Sequence, residues 1–511
     1  MPDYESVKVV LQRADSGLVL LIVCCAIVLS IGVYVAPRVK WFRRLAMASV
    51  VIVPDHTLKR LEDVRIMSPA MIIWTMLILG SQSFWYDEAF SLRMASLPAE
   101  MWPDAILNDV HPPVFYAIVA AVRSIFPEWI TDARGLRAIP LAFGLIHIWL
   151  MRRLALRLYG FRAAEFATIF LGLMPAALYN VTELRSYTLL ASLYTLGALS
   201  IAERRRTWLL IAVAIMPGVH NFGLLYGAAL LALWAWRERE RLWALLASVP
   251  MALWAAFPLL QSGIVADGYF PYLSLGVLAR PLLETTIVVV RNEFILVTAI
   301  PILMITLYAV WDRRRDGLVM FLLFAVPVAV ALISALWRPV YVPRTLYPAV
   351  MMLALVWAAS AAQHAYLMRV TFLVLIIACS ILIGYAGSNT RLDYAGMVRE
   401  HCPNARALYA TSIPAAFVLA ANTDHELTVW DNAADDAGTF TPDDLPRYAF
   451  TTADSPDALP SPFCIMQIDQ PLTAQSERDY IAALLSDREH RSTHVNISRW
   501  HELYFHEVYQ S

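Results

Sequence analysis

Charge is scarce in this chain of 511 residues, because Asp, Glu, Lys and Arg together make up only 16% of it. Soluble domains carry about 25% charged residues and fewer apolar ones, whereas 59% of this sequence is hydrophobic. The 40 basic and 41 acidic residues nearly cancel, so no bulk positive charge indicates a nucleic-acid partner. The composition predicts an integral membrane protein.

Cysteine is also rare, with five in the whole chain and no zinc-type spacing among them. Cys24, Cys25 and Cys379 lie in apolar runs, where cysteine behaves as a small hydrophobic residue. Cys402 and Cys464 lie in the polar C-terminal part, where an oxidising compartment would allow a disulfide. Sequence alone does not show whether these two approach closely enough to pair.

Long apolar runs fill the first 386 residues. Most are about 17 to 25 residues long, the length that crosses the hydrocarbon core of a bilayer as a helix. The runs 207–220 and 222–236 are shorter, and a different division of 207–236 would change the number of spans by one or two. We predict about twelve membrane spans from these runs. The predicted spans are 17–36, 67–84, 136–152, 163–181, 187–203, 207–220, 222–236, 243–260, 293–311, 317–336, 345–362 and 369–386. Acidic residues precede the first run and no cleavage pattern follows it, so we interpret it as a span and not a signal peptide.

Clusters of basic residues mark alternate loops, and such clusters stay on the cytoplasmic side of a membrane. The clusters are Arg38, Lys40, Arg43 and Arg44 with Lys59, Arg60 and Arg65; Arg152, Arg153, Arg157 and Arg162; Arg204 to Arg206; Arg237, Arg239 and Arg241; and Arg313 to Arg315. The remaining loops, and the polar C-terminal part, are therefore expected on the outer side.

Three regions follow from this pattern. Residues 1–66 form an extra N-terminal span with a basic cytoplasmic loop, 67–386 the main membrane domain, and 387–511 a small extracytoplasmic α/β domain. In the last region we predict strands at 406–410, 426–430, 462–468 and 494–500, helices at 412–421 and 475–489, and a long loop at 431–461.

An acidic pair, Asp87-Glu88, directly follows the second span on the outer side. Taken alone, it fits ordinary loop acids beside an interfacial aromatic belt equally well. The next outward segment holds Asp109 and His111, followed by Pro112-Pro113, which can begin a helix without backbone donors. The apolar stretch that follows, to Phe126, is too short to cross, so we predict a helix along the membrane surface.

Three arginines, Arg137, Arg185 and Arg344, stand alone at outer ends of spans. Each by itself is more simply a paired or snorkelling arginine. Together with the acids and His220 they favour an anion site, because the guanidinium group can bind two phosphate oxygens at once.

The order of these motifs resembles the GT-C superfamily of glycosyltransferases. Within it, the chain is most similar to the protein O-mannosyltransferase-like family (glycosyltransferase family 39), which also resembles the bacterial lipid A aminoarabinose and galacturonic acid transferases. The resemblance covers roughly residues 67–386. It rests on Phe84 to Ser91, Asp109 to Pro113, Leu136 to Pro140, Glu183 to Tyr187, His220 to Gly223 and Tyr341 to Pro348.

The resemblance implies a membrane glycosyltransferase that moves a monosaccharide, with inversion, from a polyprenyl-phosphate donor to a glycan, lipid or protein hydroxyl. Asp87 would be the general base and Glu88 would orient the acceptor or the base. Asp109, His111, Tyr187 and His220 would line the substrate site. Arg137, Arg185 and Arg344 are the candidates to stabilise the departing phosphate. No cofactor is expected, although Asp87 and Asp109 leave a divalent metal open.

Two absences support a lipid-linked donor: no Asp-x-Asp triad of nucleotide-sugar enzymes and no Gly-Lys-Ser/Thr phosphate loop occur. A transporter or flippase for a lipid-linked sugar is the alternative, but transporters usually show two related halves and ionisable residues at mid-membrane depth. A structural subunit is the third possibility. The extra first span and the unfamiliar C-terminal domain leave the acceptor open. We expect an integral multi-pass protein of the bacterial inner (plasma) membrane, contacting membrane lipids and no nucleic acid.

Overall fold

The computed structural model of the protein describes most of the chain between Phe84 and Tyr509. The described residues are 84, 86–107, 109, 111–127, 133–238, 241–260, 295–334, 343–364, 394–410, 413–423, 426–430, 451–453, 462–469, 485–486, 489–498 and 501–509. The predicted spans 17–36 and 369–386, and all of 67–84 except Phe84, lie outside these residues.

The described part is mostly helical up to residue 401. Its α-helices are α1 Tyr86–Ser96, α2 Trp102–Leu107, α3 Val114–Ile125, α4 Ala133–Leu136, α5 Ala138–Tyr159, α6 Phe161–Gly172, α7 Pro175–Val181, α8 Tyr187–Glu203, α9 Arg206–Val219, α10 Phe222–Glu238, α11 Arg241–Leu260, α12 Ile295–Ser334, α13 Tyr347–Ala361 and α14 Tyr394–His401. Short 3-10 turns cover Ala99–Met101 and Pro343–Leu346.

One predicted span differs from the helices. The span at 163–181 is divided into α6 and α7, because the chain leaves the helix at Met174 and Pro175 begins the next one. The spans at 293–311 and 317–336 correspond to α12, which consists of two helices that meet at a kink at Arg314, where φ is 46°. The non-helical residue falls in the basic loop that the sequence predicted between two spans.

Within the described part of the chain, three helical segments are long and apolar enough to cross a membrane: Ala138–Tyr159, Leu303–Ile333 and Arg344–Ala361. Shorter apolar helices include α3, the predicted surface helix, together with α9 and α10. Side chains such as Leu253 and Trp311 expose more than two thirds of their surface, as expected for residues that face lipid. The fold is therefore mostly helical and suited to a membrane, as predicted.

Polar contacts join neighbouring helices in the middle of the helical part. Ser192 on α8 donates to the carbonyl of Phe143 on α5 over 2.8 Å. His147 on α5 and the hydroxyl of Tyr347 on α13 are 2.9 Å apart. Such bonds hold helices together where hydrocarbon supplies no competing water.

The C-terminal part contains a mixed sheet and one helix packed against it. The strands are β1 Ala407–Ala410, β2 Glu426–Trp430, β3 Thr451–Ala453, β4 Phe463–Asp469, β5 Glu489–Ser498 and β6 His501–Tyr509, and helix α15 is Ile413–Asn422. The strand order is β3-β2-β1-β4-β6-β5. Strands β3, β2, β1 and β4 run parallel, with Ala407 beside both Glu426 and Phe463, while β6 runs antiparallel to β4 and β5.

The predicted strands 406–410, 426–430 and 462–468 and the predicted helix 412–421 are present. The predicted helix 475–489 lies outside the described residues except at 485–486 and 489. Two other predictions differ from the structure. The single strand expected at 494–500 is a hairpin of β5 and β6, and β5 begins at Glu489, where a helix had been predicted to end. The short strand β3 lies inside the predicted loop 431–461. Both misses arise because long-range pairing with β4 and β2 selects strand geometry where local periodicity is weak.

The question of Cys402 and Cys464 is answered by the structure, in which the two form a disulfide with their Cα atoms 5.9 Å apart. It links the end of α14 to β4, in the parallel part of the sheet.

Candidate active site

Helix α1 begins at Tyr86 and places Asp87 and Glu88 in its first turn. Negative side chains are favoured there by the exposed amide groups and the helix dipole. Successive residues of an α-helix point about 100° apart, so the two carboxylates face different neighbours.

Asp87 lies between two arginines. Its Oδ2 pairs with Nη1 of Arg344, and Nη1 of Arg185 donates to its backbone carbonyl over 3.1 Å. The side chains of Asp87 and Arg344 are 16% and 26% exposed, respectively, so this ion pair is open to an incoming substrate.

The charges around Asp87 set its ionisation. Burial by itself would raise the pKa of the Asp87 carboxyl, but the positive charges of Arg344 and Arg185 outweigh burial and lower the pKa below its usual value. Asp87 is therefore a carboxylate at neutral pH and can accept a proton.

Arg185 connects Asp87 to a histidine. Besides the Asp87 carbonyl, its Nη1 donates to Ser91 Oγ over 3.1 Å, and its Nη2 lies 3.0 Å from His111 Nε2. Ser91 is one helical turn after Asp87, and its hydroxyl donates to the Asp87 carbonyl over 2.9 Å.

The hydrogen-bond partners of His111 indicate which of its ring nitrogens accepts and which donates. Because a guanidinium group only donates, His111 Nε2 must accept from Arg185. His111 Nδ1 then carries the proton and faces Asp109 Oδ1 at 3.4 Å. Tyr116 donates to the other oxygen of Asp109 over 2.7 Å. Asp109 thus orients the His111 ring.

Glu88 and Arg137 form a second ion pair, which is buried. Arg137 Nε and Nη2 contact the two oxygens of Glu88 at 2.8 and 2.5 Å, and both side chains are fully buried. The backbone N–H of Leu184 also donates to Glu88 over 2.8 Å. Glu88 therefore anchors the turn that carries Arg185.

Arg344 is positioned from the opposite side by the Pro343–Leu346 turn. Tyr226 on α10 donates its hydroxyl to the carbonyl of Thr345 over 2.6 Å. This bond fixes the backbone directly after Arg344.

His220 occupies the break between α9 and α10. The N–H of Phe222 donates to its Nδ1 over 3.1 Å, so a proton on neutral His220 resides on Nε2. Its ring lies 5.5 Å from that of His111 and 5.4 Å from that of Tyr187, centroid to centroid.

A small cleft opens beside these groups. It is lined by Ser91, His111, Pro112, Phe115, Tyr116, Arg185, Ser186 and Val219. Its walls combine hydroxyl and cationic groups with apolar ones.

All nine residues singled out from the sequence meet in this region, and their roles remain a prediction. Ser91 and Tyr116 also belong to it but were missed. A signal existed for Ser91, because four-residue spacing puts it on the same helical face as Asp87. The contact of Tyr116 with Asp109 depends on how α3 folds back, which local sequence does not show.

Asp87 and Asp109, the two carboxylates that could have held a divalent metal, both contact other side chains. Asp87 is paired with Arg344, and Asp109 is bonded to Tyr116 and His111. Among the residues that the structure describes, no group of three His, Cys, Asp or Glu side chains is arranged to hold a metal ion.

Comparison with known proteins shows which solved structures have a similar fold. No family model matches the sequence, and no curated protein matches it. Among solved structures, ArnT from Cupriavidus metallidurans in the apo state aligns with a TM-score of 0.58 at 13% identity, over 86% of this chain and 97% of that chain. ArnT from the same organism bound to undecaprenyl phosphate aligns with a TM-score of 0.56 at 14% identity, over the same shares. Similarity at this identity concerns architecture alone: the chain shares the fold of ArnT, in keeping with the mostly helical membrane architecture that the sequence predicted.

Proposed function

We propose that the protein transfers a monosaccharide from a polyprenyl-phosphate donor to an acceptor hydroxyl on the extracytoplasmic face. The observation that carries this proposal is Asp87, an ionised carboxylate beside two arginines. Ser91 and Arg185, which line the neighbouring cleft, are both bonded to its backbone carbonyl. A base next to phosphate-binding groups is what such a transfer requires.

The reaction would proceed as one displacement. The acceptor oxygen attacks the anomeric carbon, the bond from that carbon to the phosphate oxygen breaks, and the configuration is inverted. The acceptor proton passes to the Asp87 carboxylate, and the electron pair of the broken bond leaves with the lipid phosphate. Asp87 Oδ2 is bonded to Arg344, which leaves Oδ1 to take the proton.

Arg185 and Arg344 are the proposed phosphate ligands. Both stand next to Asp87, and their guanidinium groups would offset the charge that develops on the leaving phosphate. The structure bound to undecaprenyl phosphate has the same architecture, which supports a lipid phosphate as the donor.

Glu88 and Arg137 take a different role from the one first expected. Because both are fully buried and bonded to each other, we assign neither a contact with acceptor or phosphate. They position the Leu184 turn and, through it, Arg185. Asp109 positions His111, while His220 and Tyr187 form the wall behind it.

Arginine in place of a metal ion as the phosphate ligand is also part of the proposal.

Polar residues of the site gather around one cleft and not along a path through the membrane, which supports an enzyme over a flippase.

The direct test is Asp87→Asn, which keeps the shape of the side chain and removes its basicity. We expect transfer from a purified polyprenyl-phosphate sugar to fall by about 10²- to 10⁴-fold, the usual contribution of a general base. The matched control is Asp104→Asn, the same chemical change at an exposed carboxylate on α2, which should leave the rate unchanged.

Full transfer by Asp87→Asn would disprove the base assignment. Movement of lipid-linked sugar across vesicles without any glycosylated product would favour the flippase instead.

A further inference from the structure

The C-terminal part of the chain contacts the residue that precedes the active-site helix through the side chain of Asn422. Asn422, the last residue of α15, accepts the backbone N–H of Phe84 over 2.7 Å and donates to the carbonyl of the same residue over 2.9 Å. Its second amide hydrogen is bonded to the carbonyl of Val418 over 2.8 Å. The amide group therefore makes three bonds, and two of them hold Phe84.

Phe84 stands two residues before the first residue of α1. Its ring is buried, and the Arg137 guanidinium lies 5.6 Å from the ring centroid. Asn422 therefore fixes the backbone at the point where α1 begins, beside the buried Glu88–Arg137 pair. A shift of this backbone would be passed to Asp87, three residues further on.

Phe417 makes a second contact between the same two helices. Its ring centroid lies 5.9 Å from that of Tyr86 and 5.1 Å from that of Phe90. Tyr86 and Phe90 are one turn apart on α1, so the aromatic ring spans the helix face adjacent to Asp87. Phe417 is almost completely buried at this contact.

Helix α1 is thus held on three faces. Glu88 faces Arg137, Asp87 and Ser91 face Arg185, and the third face is covered by α15. We propose that Asn422 and Phe417 are positioning residues for catalysis, which hold Asp87 against Arg344 and Arg185. The inference rests on the proposed role of Asp87 as the base.

A measurable consequence follows from the electrostatics of Asp87. Its arginine neighbours oppose the effect of burial and keep the carboxyl ionised. If α1 shifts, the arginine contribution weakens while burial remains, so the pKa of Asp87 rises. Because the ionised form is the active base, activity is present above this pKa and lost as pH falls through it. The acid limb of the pH–rate profile should therefore move to higher pH.

The experiment measures transfer from a polyprenyl-phosphate sugar across the pH range for wild type, Asn422→Ala and Asn422→Asp. Losing one close ion pair moves a carboxyl pKa by about 1 to 3 units. We expect Asn422→Ala to move the acid limb up by about one unit or more. Asn422→Asp, which retains only the acceptor for the Phe84 N–H, should also move the limb upward. Rates should approach the wild-type value at high pH.

The matched control is Thr423→Ala, at the next residue, whose hydroxyl is bonded within its own segment to the Leu419 carbonyl. It should keep the wild-type profile. A role in folding alone would lower the yield of active protein without moving the limb, and that result would overturn the proposal. If neither Asn422 variant folds, Phe417→Leu is judged by the same shift.

Asp87→Asn in the same assay separates the two proposals. Retained transfer in Asp87→Asn removes the base assignment itself. Lost transfer in Asp87→Asn, together with an unshifted limb in the Asn422 variants, rejects only the positioning role.

Discussion

Two adjacent carboxylates, Asp87 and Glu88, have different chemistry because their neighbours differ. Asp87 is partly exposed and paired with Arg344 near the cleft, whereas Glu88 is fully buried against Arg137. An exposed pair can exchange partners with a substrate, while a buried pair cannot do so without opening the fold. Proximity in sequence therefore does not imply a shared role.

The buried pair leads to a prediction about stability. Arg137→Met should leave the Glu88 carboxylate buried without its cation and destabilise the protein by about 3 to 5 kcal/mol. Adding Glu88→Gln should recover part of this loss, because the neutral amide oxygen can still accept the Leu184 N–H. Thermal unfolding in detergent micelles measures Arg137→Met, Glu88→Gln and the double variant.

The comparison works as a double-mutant cycle, in which the coupling between the two sites is the difference between the combined and the separate effects. If the two changes simply add, the buried ion pair does not contribute as described.

At the level of elements, the connection between α9 and α10 shapes the wall of the site. A methyl group added at Gly223 would overlap the carbonyl of Met216, which accepts the N–H of His220. Backbone atoms cannot move aside as a flexible side chain can. The glycine therefore permits the close approach that positions His220.

Gly223→Ala should consequently destabilise the protein by about 1 to 3 kcal/mol, as overpacking commonly does, and lower transfer by displacing His220. Thermal unfolding and the transfer rate measure these effects. The control is Gly227→Ala on the same helix, where the added methyl meets the end of the flexible Met251 side chain. Equal losses from both substitutions would show that the break at His220 is not specially constrained.

Individual helices and strands show how well the sequence predicts secondary structure. Helix α8 was predicted at 187–203 and is Tyr187–Glu203, because an apolar run bounded by arginines defines both of its ends. The β5–β6 hairpin was predicted as one strand, because strand pairing depends on partners that lie elsewhere in the chain.

On the scale of the whole molecule, binding of the departing lipid phosphate at the proposed site should stabilise the fold, since a ligand that binds only the folded state adds free energy to it. At 100 times its dissociation constant, undecaprenyl phosphate should add about 2.7 kcal/mol. Unfolding temperature with and without the lipid measures this gain.

The proposed phosphate site makes that gain depend on arginine and not on a metal ion. Arg185→Met should reduce the stabilisation by lipid, whereas a chelator should change neither the stabilisation nor the rate of transfer. Loss of transfer on chelation, with recovery on adding magnesium or manganese, would assign the role to a metal ion.

The sequence by itself determined that this is a largely helical chain suited to a membrane, and it identified nine residues that the structure places around one site. Apolar run length, basic clusters and ordered motifs are local properties, so they are visible without a fold. Only the tertiary structure decided which carboxylate is open and which is buried, since both are acids in the same helical turn. It also decided that Asn422 holds Phe84, a pairing across 338 residues of sequence, because contacts of that range arise from packing and leave no periodic signal.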